Sequence, residues 1–298
     1  GNIYLPLNAG MTQADVDAIK ASGITAVKVS LGGFANGYAE TLNELNTFNQ
    51  VIARYPSDFM QIRTVADIGG AKRSGRLGVV YSFEGVECLE GGTARIGEFS
   101  ALGVKVMQLC YNLPSPFGAG VLADPSLPLT GLGREAVAAM NASSVAIDLS
   151  HANLATTAGA MEASTKPVLI THAGCAAVHG HVRNKSDEQL RALAEKGGVV
   201  GIYDLPYLTP SPRQPTLEDY MAHMTHALDV CGEDHVGIGS DTEFVRFDTS
   251  PEAMEQFRVF ASGRRAAGVA APEEDRPPYV EGLNHVRRCE TIAGALSQ

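Results

Sequence analysis

Seven short apolar runs constrain this chain more than any other feature. They are Ile24–Leu31, Leu77–Phe83, Val104–Leu109, Val145–Ser150, Val168–Thr171, Val199–Tyr203 and Val236–Ser240. Each is near-continuously apolar and β-branched rather than alternating. A strand with one wet face alternates, so these runs read as strands covered on both faces, the habit of parallel sheets. Helical signals lie between them. Ser186 opens a capping box with Gln189, and Leu190, Leu193 and Ala194 follow at core-facing spacing before Gly197 ends the helix. Thr216-Leu-Glu-Asp219 opens another helix, with Met221, Met224 and Leu228 on one stripe. With a candidate eighth strand at Ile3–Leu7, the alternation predicts an α/β fold, a (β/α)8 TIM-like barrel in a single domain over residues 1–298. A doubly wound open sheet is the alternative that this pattern leaves open. No composition break marks a linker, and no internal repeat is found. Three Pro/Gly-rich stretches, Asn112–Thr130, Leu205–Pro215 and Gly268–Gly282, read as long loops. The first two directly follow strands, where a barrel keeps its active site.

Charge and cysteine usage narrow the function classes. The chain has 33 acidic against 23 basic residues, a net charge of −10. A polyanion ligand needs the opposite field, so nucleic acid and anionic membrane are not expected partners. No apolar run reaches the length of a membrane span. The five cysteines form no C-x-x-C pair, which points to reduced, buried thiols rather than disulfides or a zinc knuckle. The chain opens at Gly1 without a basic-then-apolar leader; the compartment is left open, and a soluble protein, cytoplasmic or periplasmic, is expected. Removal of a signal peptide stays open.

What ends each strand carries the chemistry. Glu84 follows the run closing at Phe83, Tyr111 follows Val106–Cys110, His151 follows Ile147–Ser150, His172 follows Leu169–Thr171, and Asp241 follows Gly237–Ser240. In a barrel these positions converge on one mouth. Carboxylate, imidazole, imidazole and carboxylate from different strands are the ligand inventory of a borderline divalent metal. His223 and His226 lie three apart on one helix but share no nearby carboxylate in sequence, so a solvated helix face is expected there. No third glycine follows Gly237-Ile-Gly239, and no G-x-x-x-x-G-K or G-x-S-x-G occurs, which leaves dinucleotide fingerprints, phosphate cradles and nucleophile elbows unsupported.

At these residues the chain resembles the membrane (renal-type) dipeptidases, peptidase family M19 of the amidohydrolase superfamily. The resemblance runs from about Ile24 to Gly239 and beyond. Leu129-Thr-Gly-Leu-Gly-Arg-Glu135, Ile147-Asp-Leu-Ser-His151, Pro167-Val-Leu-Ile-Thr-His172, Val182-Arg-Asn184, Gly197-Gly-Val-Val-Gly201 and Val236-Gly-Ile-Gly-Ser-Asp241 carry it in order. The resemblance implies a two-zinc barrel hydrolase of dipeptides, and by extension a homodimer. By the same resemblance, Glu84 is the metal-bridging carboxylate and His151 and His172 are ligands of one ion. Asp241 is a ligand of the other that also handles protons, and Arg183 grips the substrate's terminal carboxylate, a task suited to a planar cationic fork.

Two departures shape the expectation. The family's first strand carries a His-x-Asp pair, and none occurs in this sequence. Either the first strand is incomplete here or this member has lost that half-site; the family's C-terminal segment is likewise cut short. The family also has a histidine in an L-T-H-N segment that contacts substrate, where this chain reads Leu109-Cys-Tyr111-Asn112. Tyr111 is thus a substrate-side hydrogen-bond donor without charge. The expectation is one Zn²⁺ per chain on Glu84, His151 and His172, with Asp241 and Glu84 catalytic and Arg183 and Tyr111 substrate-binding. Two ions would require ligands that this sequence lacks. The competing reading is a degenerate barrel that binds a small molecule or partner without hydrolysis.

Overall fold

The computed structural model describes residues 2–4, 10–32 and 36–297. In chain order β1 spans Asn2–Tyr4, α1 Gln13–Lys20, β2 Ala26–Leu31, α2 Tyr38–Arg54, β3 Phe59–Gln61, α3 Val65–Ser74, β4 Leu77–Phe83, α4 Ala94–Ala101 and β5 Val104–Gln108. There follow α5 Gly131–Ala142, β6 Ala146–Asp148, α6 Leu154–Ala163, β7 Leu169–Ala173, α7 Asp187–Glu195, β8 Val199–Tyr203, α8 Leu217–Cys231, β9 Val236–Glu243, α9 Pro251–Ala266 and α10 Arg288–Leu296. All pairings are parallel and run in a ring. β1 pairs with β2, β2 with β4, and β4 leads on through β5, β6, β7 and β8 to β9, which returns to β1. Eight strands close on one another as a TIM-like barrel, and the open-sheet alternative falls.

Each of the seven apolar runs carries a strand, with β7 and β9 extending past their runs to Ala173 and Glu243. The candidate at Ile3–Leu7 is represented by β1; Leu5–Leu7 lie outside the described residues. β3 was not expected. It is three residues long and pairs only with Leu77–Val79 at the start of β4, so it needs no apolar run of its own. The predicted capping box forms on α7, and the predicted helix start at Thr216 proves to be a second capping box, on α8. The three long loops carry no strand and no helix beyond the single turn Pro206–Leu208.

Side-chain alternation along β4 shows how the barrel aims its residues. Val79, Tyr81 and Phe83 pack outward, Tyr81 edge-on to Phe48 of α2 and Phe83 edge-on to Phe99 of α4 at 4.7 Å between ring centres. Val80, Ser82 and Glu84 take the opposite, inner face. Near the strand C-termini the ladder slips, between Tyr81 and Ser82, between Ile170 and Ala173, and between Ile202 and Tyr203. Such irregularities re-aim the side chains that follow. Backbones also crowd here: a Cβ on Gly239 would stand 2.5 Å from the Gly201 carbonyl oxygen, so no larger residue fits. Four cysteines are buried and Cys289 is partly so, all as free thiols.

Candidate active site

Glu84, His151 and His172 converge at the barrel mouth with their ligand atoms all within 4.8 Å of one another. All three are buried. His151 Nε2 and His172 Nε2 are 3.0 Å apart, and Glu84 Oε1 is 3.8 Å from His172 Nε2. The outer ring nitrogens fix what those inner atoms are. Asn112 Nδ2 donates to the Val269 carbonyl at 2.8 Å, so Asn112 Oδ1 faces His151 Nδ1 at 2.7 Å and must accept from it. Thr171 Oγ1 donates to Asp148 Oδ2 at 2.6 Å, leaving its oxygen to accept from His172 Nδ1 at 2.9 Å. Both protons sit on Nδ1, and both Nε2 lone pairs are aimed at one point. Burial, then neighbouring cations (Arg183 first for His151, Lys28 first for His172), push both imidazoles well below their ordinary pKa, so both are neutral. Two opposed lone pairs at hydrogen-bond distance with no proton between them are repulsive. A cation between them removes that repulsion, and the donor set, two neutral imidazoles and a carboxylate with pinned outer nitrogens, suits zinc.

Lys28 and Asp148 support the cluster from within the barrel. Lys28 Nζ lies 3.8 Å from Glu84 Oε1 and 3.6 Å from Asp148 Oδ2, with all three side chains buried or nearly so. Asp148 also accepts from the Ser150 hydroxyl at 2.5 Å and the Thr171 amide at 3.1 Å. Lys28 is the single charge in an otherwise uncharged strand, a signal the sequence offers. Asn112 follows Tyr111 directly, yet nothing local reveals its partner, which lies 157 residues away.

Asp241 approaches from β9. Its Oδ2 is 3.9 Å from His172 Nε2, but it falls outside the mutually close ligand set. Ser240 and Asp241 are both left-handed, at φ 58° and 66°. Two successive non-glycine residues in that region cost about 1–3 kcal/mol each and are typical of functional turns.

Tyr111 stacks on His151, with ring centres 4.2 Å apart and planes 25° from parallel. Burial, then the Glu84 charge, push its hydroxyl up to about 12, so it is a donor at neutral pH. Arg264 Nη2 of α9 donates to that hydroxyl at 3.0 Å, and Arg264 is held in turn by Glu274. Nothing in the sequence around Arg264 distinguishes this half-buried residue from the exposed Arg258 and Arg265 nearby.

Arg183 is 3% exposed, and its Nε and Nη2 have no hydrogen-bond partner among the described residues. Burial works against its charge, but Asp241 and the tyrosines 203, 207 and 111 outweigh it and raise its pKa. Its neighbour Asn184 is tied to the His179 and Tyr207 carbonyls at 2.8 and 3.0 Å. Asp187, the nearby carboxylate in sequence, is engaged by His226 at 2.8 Å and by Arg191 at 3.4 Å. Arg183 therefore does not belong to a surface ion pair.

His223 corrects an expectation. Rather than facing solvent it is fully buried; its Nδ1 accepts from the Cys175 amide, and its Nε2 donates to the Leu208 carbonyl, both at 2.9 Å. The exposure expected from charge spacing loses to the helix packing against the loop after β8. His226 does have a carboxylate partner, Asp187, supplied by α7 rather than by its own helix.

A cavity of about 590 Å³ opens beside the cluster. Tyr111, Arg183 and Asp241 form its polar floor, and the segment from Thr242 to Arg288 supplies most of the rest. No helix among the described residues is long and apolar enough to cross a membrane.

Comparison with known proteins agrees with this geometry. The family model for membrane dipeptidase (peptidase family M19) matches residues 9–259. Dipeptidase verJ of Clonostachys rogersoniana is 30% identical over 220 residues, covering 70% of this chain and 54% of its own length. An uncharacterized dipeptidase of Schizosaccharomyces pombe is 27% identical, covering 72% of this chain and 53% of its own length. The chain thus spans about half the length of these curated relatives. Among solved structures, an amidohydrolase from Pseudomonas aeruginosa superposes with a TM-score of 0.82 at 27% identity, over 96% of this chain and 87% of that one. A metallo peptidase from Rhodobacter sphaeroides, liganded with a phosphinate mimic of L-Ala-D-Ala, shares the fold at a TM-score of 0.72 and 21% identity, over 99% of this chain and 78% of that one. With a family model covering most of its length and the ligand cluster in place, the chain belongs to the membrane dipeptidases, peptidase family M19.

Proposed function

We propose that this chain hydrolyses a dipeptide or a closely related small amide, with one divalent ion, zinc by its ligand set, held by Glu84, His151 and His172. The observation that carries the reading is the pair of Nε2 lone pairs pinned 3.0 Å apart beside a cavity floored by Arg183. When bound, such an ion supplies Lewis acidity, making water nucleophilic near neutral pH and polarising a carbonyl.

The chain's own residues supply the rest. Arg183 offers two unengaged, buried N–H groups to the substrate's terminal carboxylate, a planar fork matched to a planar anion. Asp241, between Arg183 and His172, takes the proton from the attacking water and returns it to the leaving amine. Tyr111 donates to the carbonyl oxygen as charge develops there. Glu84 would hold the ion together with the two imidazoles and is itself held by Lys28. One ion per chain is expected because Glu84, His151 and His172 are the one ligand cluster among the described residues.

The test is a dipeptide panel assayed with zinc-loaded protein, chelated protein and Glu84→Gln. Turnover with zinc, lost on chelation and restored by zinc, is the expected result. Absence of hydrolysis by fully loaded protein would overturn the reading in favour of a binding-only barrel.

A further inference from the structure

Helix α9 turns its apolar stripe the wrong way for a surface helix. Of its 16 residues only Ala261 is buried. Ala253, Phe257, Phe260 and Arg264, spaced by three and four, line the cavity instead. Phe260 is 60% exposed. Phe247 lies beside this stripe, edge-on to Phe257 at 5.7 Å and stacked on Tyr279 at 5.9 Å. The Phe247 amide donates to Asn284 Oδ1 at 2.8 Å, and its carbonyl accepts from Asn284 Nδ2 at 3.1 Å. The three-ring cluster is therefore fixed before any ligand arrives, so little ordering cost falls on binding.

The same cavity has a charged floor and an aromatic wall. A dipeptide anchored by its carboxylate on Arg183, with its amide at the cluster, has only its side chains to offer to that wall. We propose that Phe247, Phe257, Phe260 and Tyr279 form a side-chain pocket that selects dipeptides carrying a bulky apolar residue, aromatic above all, over dipeptides of small residues. This deepens the dipeptidase reading and rests on it. The occupant is the substrate's side chain, because wall and floor belong to one cavity.

The experiment compares kcat/KM of the zinc-loaded chain for Ala–Ala, Ala–Phe and Phe–Ala. At least one phenylalanine dipeptide is expected to exceed Ala–Ala by about ten- to a hundredfold, the selectivity that burial of one ring provides. In Phe257→Ala/Phe260→Ala that ratio should fall toward one, and Phe260→Leu should keep much of it. Since Phe260 is exposed, Phe260→Ala alone keeps the fold and should lower the ratio partway. A ratio near one in the natural chain overturns the proposal. So does a ratio that survives the double substitution, the outcome expected if the stripe is covered by another part of the protein or by a second copy. If no dipeptide is hydrolysed, the functional reading fails separately. The pocket is then tested by calorimetric titration of Ala–Phe against Ala–Ala, and equal affinities overturn it.

Discussion

Asn112→Leu isolates what orients the candidate metal ligand His151. The side chain keeps its approximate volume but loses both polar atoms, so His151 Nδ1 loses its acceptor at 2.7 Å and the Val269 carbonyl its donor at 2.8 Å. Without Asn112, His151 is free to move its proton to Nε2 and donate it to His172 Nε2, 3.0 Å away. That bond stabilises the metal-free site by about 0.5–1.5 kcal/mol. In the loaded site the proton returns to Nδ1, now buried without a partner, at about 1–3 kcal/mol. The two add to about 1.5–4.5 kcal/mol, which corresponds to a loss of at least tenfold in zinc affinity. That agrees with the roughly 10–100-fold usual for the outer partners of ligating histidines. Competition with a chromogenic zinc chelator at pH 7.5 measures it, with thermal unfolding of the metal-free form as the check on folding. A dissociation constant within twofold of the natural chain's, in a folded variant, would refute the tautomer argument.

Other expectations follow from the same geometry. Arg183→Lys keeps the charge but loses the paired hydrogen bonds, costing about 1.5–3 kcal/mol in kcat/KM. Arg183→Ala should cost more and be nearly indifferent to amidation of the substrate's C-terminus, whereas equal sensitivity of both proteins removes Arg183 from the site. Tyr111→Phe should weaken binding of a phosphinate dipeptide analogue about ten- to a hundredfold more than binding of the substrate. Arg264→Met should add little in the Tyr111→Phe background; additive losses would deny that Arg264 acts through Tyr111. His223, driven by burial from an ordinary 6.5 to about 4, binds its proton more readily in the unfolded chain. The unfolded state therefore holds more protons between those values, and stability falls as pH drops through that window. The drop is about 3 kcal/mol for this group, and a denaturation series in His223→Gln should lack that part of it.

The barrel was legible because a parallel strand covered on both faces must be apolar throughout, and seven such runs are hard to hide. β3 escaped because an edge strand of three residues pairs with one neighbour and needs no such run. The candidate site residues were legible because Glu84, His151, His172 and Asp241 each close an apolar run, where a barrel gathers polar groups. What fixes their protonation was not. Asn112 depends on a carbonyl 157 residues away, and Arg264 meets Tyr111 across 153. His223 was misjudged for the same reason, since the groups that bury it come from the segments around Cys175 and Leu208. Sequence alone offers Arg183 a second partner in Asp187, four residues on, and only the fold, which gives Asp187 to His226 and Arg191, removes it.

The proposed site holds one divalent ion between two opposed imidazoles. Crystals of the zinc-loaded chain, with diffraction recorded on both sides of the zinc absorption edge, test it most directly. One anomalous peak per chain is expected, within coordination distance of His151 Nε2, His172 Nε2 and a Glu84 oxygen. Two peaks bridged by Glu84, or none at the cluster, would contradict it.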